Sequence, residues 1–84
     1  MPYIHQSRRT VLERRSAEDP ENPGELNFVL TATIQAYLDS HDMSYTTMND
    51  IIGALDACKL EFYRRIVVPY EERKLKENGD VYEC

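Results

Sequence analysis

The sequence predicts an all-α fold, and three observations indicate it. Residues 23–39 and 47–68 carry apolar side chains at spacings of three and four, the period of an amphipathic helix. Residues typical of a helix start stand at the beginning of each stretch. Polar segments containing Pro, Ser, Asn and Asp separate the stretches and are typical of loops. We therefore predict two long antiparallel helices, with a short helix before them and a Pro-kinked helix after them.

The short N-terminal helix is predicted over residues 7–15, with Ser7 as its N-cap. Val11 and Leu12 are its only strongly apolar side chains, and so short a helix is not stable by itself. We therefore expect it to need contacts with the rest of the fold. Residues 16–22 contain several residues that end helices and are predicted to form a loop.

The second predicted helix, residues 23–39, has the clearest start. Asn22 would cap it, Pro23 takes the first helical position, and Glu25 stands at capping-box spacing. Residues 26–38 contain no charge, whereas a helix on the surface of a monomer shows charge on its outer side. Thirteen residues are too few to span a bilayer. An uncharged helix of this length is therefore predicted to be central in the fold or shared with another subunit. The candidate oligomer interface on its outer side is Asn27, Phe28, Ala32 and Gln35.

The third predicted helix covers residues 47–68, with Thr46 or Thr47 as its N-cap. The small residues Gly53 and Ala54 would let a neighbouring backbone approach closely. Cys58 lies on the apolar side of the helix, so we expect its thiol to be buried in a packing role. The apolar residues at this spacing are Met48, Ile51, Ile52, Leu55, Cys58, Phe62 and Ile66.

Pro69 disturbs the continuation of this helix. A proline inside a helix costs about 3 kcal/mol, and it pushes the preceding Val68 away from helical backbone angles. The helical pattern nevertheless resumes after it, with acidic residues first and basic residues last, the order that the helix dipole favours. We predict a kink or a one-residue break, a final helix over residues 69–78 with Gly79 as its C-terminal cap, and an extended tail at residues 80–84.

The whole chain, residues 1–84, is predicted to form one small domain. A chain of this length buries only about 60 to 65% of its unfolded surface, and small domains compensate with disulfides, metals or oligomerisation. The two cysteines form no CxxC pair, and no Cys and His stand at metal-ligand spacing. We therefore predict a homo-oligomer, a dimer or higher, in the reducing cytoplasm, with no metal and no cofactor.

The charge distribution argues against nucleic acid as a partner. The net charge is −5, and residues 21–58 contain six acidic residues and neither Lys nor Arg. A nucleic-acid-binding protein needs a continuous basic surface to contact phosphates. Any such role would depend on the two ends of the chain alone.

The best functional candidate is a group of tyrosines and arginines around Pro69. Guanidinium groups bind phosphate or carboxylate through two parallel hydrogen bonds, and tyrosine rings can stack on a base or on an arginine. Two interpretations stay open: a subunit contact in which acidic residues neutralise the arginines, and a site for a small anionic ligand such as a nucleotide. The group consists of Tyr63, Arg64, Arg65, Tyr70 and Arg73.

No residue pattern predicts catalysis or a metal site. His41 lies between Asp39 and Asp42, but a metal needs converging ligands on a rigid frame, and a loop between helices explains the same residues. The glycines form no phosphate-binding loop, and no acid and base stand at a catalytic spacing. Asn27 is expected to make a structural hydrogen bond in an interface, with contact to a ligand as the alternative.

Three stretches of the chain resemble a known group of proteins. They are PYI near the start, GELNF at the second helix, and MNDIIGALDACKLEFYRRIVVPYEERKLKENGDVY. Over residues 24–82 and the N-terminal tripeptide they are similar to a small uncharacterised family encoded in phage, bacterial and archaeal genomes, and the combination of GELN and NGDVY is fairly specific. The resemblance implies no assigned activity. Its link to phages implies a binding role, such as interference with a host component.

We therefore expect a non-enzymatic, oligomeric helical interaction module, with another copy of the chain or a host protein as its partner. The alternative is a protein that sequesters a small anionic ligand at subunit interfaces. Nucleic-acid binding is a third and weaker interpretation.

Overall fold

The computed structural model describes residues 2–13 and 18–82, which form helices connected by loops. The helices are α1, Gln6–Glu13; α2, Pro23–Ser40; α3, Tyr45–Phe62; and α4, Val68–Asn78. A five-residue π-helix, Tyr63–Val67, joins α3 to α4 without a break. The predicted all-α fold, with a short first helix and a kinked C-terminal helix, is confirmed. The predicted end of the first helix at residues 14–15 lies outside the described residues, as do residues 16–17 and 83–84.

Helix α1 begins one residue earlier than predicted. His5 caps it instead of Ser7, because the Ser7 backbone N–H donates a 3.2 Å hydrogen bond to Nδ1 of His5. The side chain of Arg9 donates from Nε to the carbonyl of Ile4 at 2.7 Å and ties the helix to the preceding residues. Within the described residues, α1 packs against no other helix of its own chain.

The predicted start of α2 is confirmed. Oδ1 of Asn22 accepts the backbone N–H of Glu25 at 2.9 Å, and Pro23 occupies the first turn, where no amide is needed. The reciprocal bond differs from a standard capping box, since Oε1 of Glu25 accepts the N–H of Glu21 at 3.1 Å. The cap therefore also orders the residue before Asn22.

Helix α3 begins two residues earlier than predicted, because Ser44 is its N-cap. Oγ of Ser44 accepts the backbone N–H of Thr47 at 3.2 Å. The Thr47 hydroxyl does not act as a cap, because it donates to Oδ1 of Asp42 at 2.8 Å. The prediction of Thr46 or Thr47 as the N-cap is wrong, since this loop carboxylate binds the Thr47 hydroxyl.

Helices α2 and α3 form a hairpin through the short loop of residues 41–44. Their facing side chains enclose an apolar cleft of about 240 Å³. The lining from α2 is Leu30, Thr33, Ile34 and Tyr37, and the lining from α3 is Asp50, Ile51, Ala54 and Leu55. Cys58 lies beyond this contact and is exposed. The prediction that its thiol is buried is wrong, because the α3 side chains that line the cleft shared with α2 end at Leu55.

The described residues contain no buried apolar side chain, and the one buried residue among them is Thr47, at 6% exposure. The radius of gyration is 17.0 Å, compared with about 12 Å for a compact domain of this length. The accessible surface is 7932 Å², compared with about 5,200 Å² for a folded monomer of this mass. The single chain is therefore an open arrangement of helices.

The π-helix accommodates Pro69 without a break. The backbone N–H of Val68 bonds to the carbonyl of Tyr63, five residues earlier, so the helix is widened by one residue just before the proline. Val68 keeps helical backbone angles, with φ −60° and ψ −50°, and the prediction that it leaves this region is wrong. The helix ends as predicted at Gly79, whose φ is 86° and whose N–H bonds to the carbonyl of Leu75 at 2.8 Å.

Candidate functional site

The five predicted site residues do not converge on one point. Tyr63, Arg64 and Arg65 belong to the π-helix, whereas Tyr70 and Arg73 lie on α4. The structure instead gives separate contacts: Arg64 with an acidic neighbour, and Arg73 with Tyr70. No ion pair of the described residues includes Arg65 or Arg73.

Glu61 is the centre of the first contact. The guanidinium of Arg64 donates from Nη2 to both carboxylate oxygens of Glu61, at 3.0 Å for Oε2. The Glu61 side chain is 14% exposed and that of Arg64 is 70% exposed. The phenol of Tyr3 donates to Oε2 at 3.0 Å. The hydrogen bonds from Arg64 and Tyr3, with the nearby positive charges, hold the pKa of Glu61 below its ordinary value.

This contact changes what Arg64 can do. Its charge is compensated by a carboxylate one helical turn away, and the interaction raises the pKa of Arg64 further. An anionic ligand would have to compete with Glu61 for the same guanidinium. The arrangement therefore suits a role for Arg64 in ordering the end of α3.

Tyr70 is the centre of the second contact. The Cζ atom of Arg73 lies 5.9 Å from its ring centroid, and Nζ of Lys74 lies 5.6 Å from it. These are distances at which a cation is attracted to an aromatic ring. Lys74 also pairs with Glu77, with Nζ 3.3 Å from Oε2.

A groove of about 630 Å³ lies between α4 and residues 79–82, and we call it the acidic groove. Tyr63 is the one predicted site residue in its lining. Its apolar lining includes Tyr63, Val67, Leu75 and Val81. Its charged lining is Glu71, Glu72, Asp80 and Lys74, three carboxylates against one ammonium group. This groove was not predicted from the sequence. The apolar and acidic residues at spacings of three and four after Pro69 indicated one of its walls, but nothing in the sequence indicated where the tail of residues 79–82 lies.

The predicted oligomer interface on α2 is exposed in the single chain. Phe28 is 72% exposed, and Asn27, Ala32 and Gln35 are exposed as well. Helical spacing places Phe28, Ala32 and Gln35 on the side opposite the residues that face α3. Asn27 and Gln35 bond within their own helix, because Oδ1 of Asn27 accepts the Thr31 hydroxyl at 3.2 Å and Nε2 of Gln35 donates to Asp39 at 2.8 Å.

The residues around His41 have structural roles at the ends of two helices. The His41 ring stacks on Tyr37 with centroids 3.9 Å apart, and its Nδ1 lies 2.8 Å from the Tyr37 carbonyl. Hydrogen bonds from Thr47 and Ser44 lower the pKa of Asp42. Within residues 2–13 and 18–82, no three His, Cys, Asp or Glu side chains come together in a way that could hold a metal ion.

The fold and these contacts define a small all-α protein with an open apolar surface and an acidic groove. Residues 1–81 match the model of a family described as a domain of unknown function, DUF6899, and the chain belongs to this family. Comparisons with curated proteins and with solved structures gave no match. None of the helices in the described part of the chain combines the length and hydrophobicity that crossing a membrane requires.

Proposed function

We propose that this chain is a non-enzymatic helical interaction module that associates with further copies of itself. The observation that carries the proposal is that no apolar side chain of the described residues is buried. Burial of apolar surface is the dominant favourable term in folding. A chain whose apolar side chains are exposed gains this favourable free energy when a partner covers them.

The amount of exposed surface is consistent with a subunit interface. The accessible area of 7932 Å² exceeds the value for a folded monomer of this mass by about 2,700 Å². Obligate homodimers bury about 2,000 to 5,000 Å² in total, or about half of that on each subunit. The excess on one chain is therefore near the upper end of what a permanent dimer covers.

The outer side of α2 is the surface that best supports self-association. It presents Phe28 and Ala32 and contains no Lys or Arg. The amides of Asn27 and Gln35 are bonded along the helix, so packing against this side would leave fewer unpaired polar atoms. Cys58 and Phe62 on α3 and Ile66 on the π-helix are further exposed apolar side chains.

Binding of a small anionic ligand has less support. Arg64 is engaged by Glu61, and the acidic groove next to Tyr63 carries three carboxylates against one ammonium group. Both features disfavour an anion. A host protein as a further partner, the distribution among phages, bacteria and archaea, and a cytoplasmic location remain predictions from the sequence.

A pair of charge substitutions tests the proposed interface. Phe28→Glu places a carboxylate on the outer side of α2, and we expect it to lower the mass of the assembly, because burying an unpaired charge is costly. Asn49→Glu is the matched control, since Asn49 is exposed on α3 and the charge change is the same. Size exclusion with light scattering gives the mass. Equal effects of the two substitutions, or none, would contradict a role for this side of α2.

A further inference from the structure

Helix α1 is short and packs against no other helix among the described residues of its own chain. It has eight residues, and isolated helices shorter than about 12 residues are marginal in water. Val11 is 48% exposed and Leu12 is 40% exposed. Within the described residues, α1 packs against none of the other helices. A surface outside its own chain is therefore the simplest source of its stability.

One side of α1 combines apolar and basic groups. Helical geometry places Arg8, Val11 and Leu12 on the same side, since they are three and four residues apart. Arg9 points elsewhere, because its Nε is bonded to the carbonyl of Ile4. A partner surface for α1 should therefore offer apolar contacts beside a negative charge.

The acidic groove has these properties. Val67, Leu75 and Val81 supply apolar lining, and Glu71, Glu72 and Asp80 outnumber Lys74. Helix α4 forms one wall and is about 16 Å long, whereas α1 is about 12 Å long. The groove therefore matches α1 in length and in hydrophobicity, and its charge is opposite in sign to that of Arg8.

We propose that α1 of one copy docks in the acidic groove of a second copy, and that the second copy returns the same contact. A reciprocal exchange of this kind is the arrangement that two-fold symmetric dimers use. The proposal rests on the proposed self-association and adds a second contact, between α1 and the acidic groove, to the one on the outer side of α2. Each contact pairs Val11 and Leu12 with the apolar lining, and Arg8 with the carboxylates.

A charge exchange between two variants tests this contact. The α1 variant carries Arg8→Glu, and the groove variant carries Glu71→Lys and Glu72→Lys. Like charges meet in the assemblies of either variant alone, so each should raise the dissociation constant at least about tenfold. In an equimolar mixture, α1 of the α1 variant, with its new carboxylate, meets the basic groove of the groove variant. The unmodified α1 of the groove variant meets the acidic groove of the α1 variant. We expect the mixture to form heterodimers with an affinity close to that of the unmodified chain.

Sedimentation velocity measures the dissociation constants, and circular dichroism checks that both variants stay helical. Recovery in the mixture also excludes misfolding as the cause of weakening. If both variants associate as tightly as the unmodified chain, the α1 proposal is overturned while self-association stands. A mixture as weak as either variant alone overturns it too, and indicates that α1 docks within its own chain. An unmodified chain that is monomeric overturns both proposals.

Discussion

The phenol of Tyr3 donates a 3.0 Å hydrogen bond to Oε2 of Glu61, 58 residues further along the chain. The same carboxylate accepts Arg64 from the first turn of the π-helix. Glu61 therefore connects the N-terminal residues to the point where α3 changes into the widened helix. This contact holds the residues before α1 on their own chain, whereas α1 itself packs against no other helix of the described residues.

Removing the Tyr3 hydroxyl should raise the pKa of Glu61. In Tyr3→Phe the carboxylate loses one donor, which makes its ionised form less favourable. Arg64 remains in place, so the pKa should still lie below its ordinary value of 4.5. Carboxyl NMR titration measures the change. Tyr45→Phe, at an exposed tyrosine on α3, is the control, and an equal effect of both substitutions would exclude the Tyr3 contact as the cause.

The stability of the fold should decrease in acid because of Glu61 and Asp42. The folded chain lowers the pKa of both groups from ordinary values of 4.5 and 3.8. Their contribution is therefore complete above these values and is lost as the pH falls through the lower, folded-state pKa values. Urea unfolding at a series of pH values measures this loss. Glu61→Gln combined with Asp42→Asn should flatten the dependence below pH 4.5, and a slope identical to that of the unmodified chain would refute the assignment.

Removing the N-cap of α2 should destabilise the chain. Asn22→Ala removes the acceptor for the Glu25 backbone N–H, and the loss of such a cap costs about 1 kcal/mol. Asn49→Ala is the control, since this exposed residue lies inside α3 and surface changes of this kind are usually within about 0.5 kcal/mol. Thermal or urea unfolding gives both values. Equal effects at the two positions would show that the cap does not stabilise α2.

The start of α2 could be predicted from the sequence because capping is a local interaction. Asn22, Pro23 and Glu25 lie within four residues, and their spacing alone brings the groups together. The start of α3 was predicted less well, because Asp42 binds the Thr47 hydroxyl and leaves Ser44 as the cap. The sequence alone does not show which of two nearby hydroxyls, Ser44 or Thr47, accepts the backbone N–H at the helix start, because this depends on their geometry.

The candidate site depended on information that the local sequence lacks. Pro69 predicted a disturbance, but a break and a π-helix can both accommodate a residue that has no backbone N–H. The pairing of Glu61 with Tyr3 joins residues far apart in the chain, and helical periodicity carries no signal for it. The exposure of Cys58 likewise depends on where the contact between α2 and α3 ends, which the apolar pattern does not give. The apolar pattern correctly predicted helices, but it contained no information on which of the apolar side chains are covered within the chain.

The reactivity of Cys58 should decrease as the protein concentration rises. Its thiol is exposed in the single chain. A self-associated form in which a second copy packs on α3 around Cys58 would protect it. Cys84→Ser makes Cys58 the single thiol, so its alkylation rate can be followed alone. We expect slower alkylation at concentrations where the assembly forms. The same rate per thiol at all concentrations would place Cys58 outside the interface.

The mass of the unmodified chain in solution tests self-association most directly. Light scattering after size exclusion, repeated over a range of micromolar concentrations, gives this mass, and circular dichroism of the same samples reports whether the chain is folded. We predict a helical species of at least about twice the 9.8 kDa of one chain. A helical, cooperatively folded species of 9.8 kDa at every concentration would contradict the account.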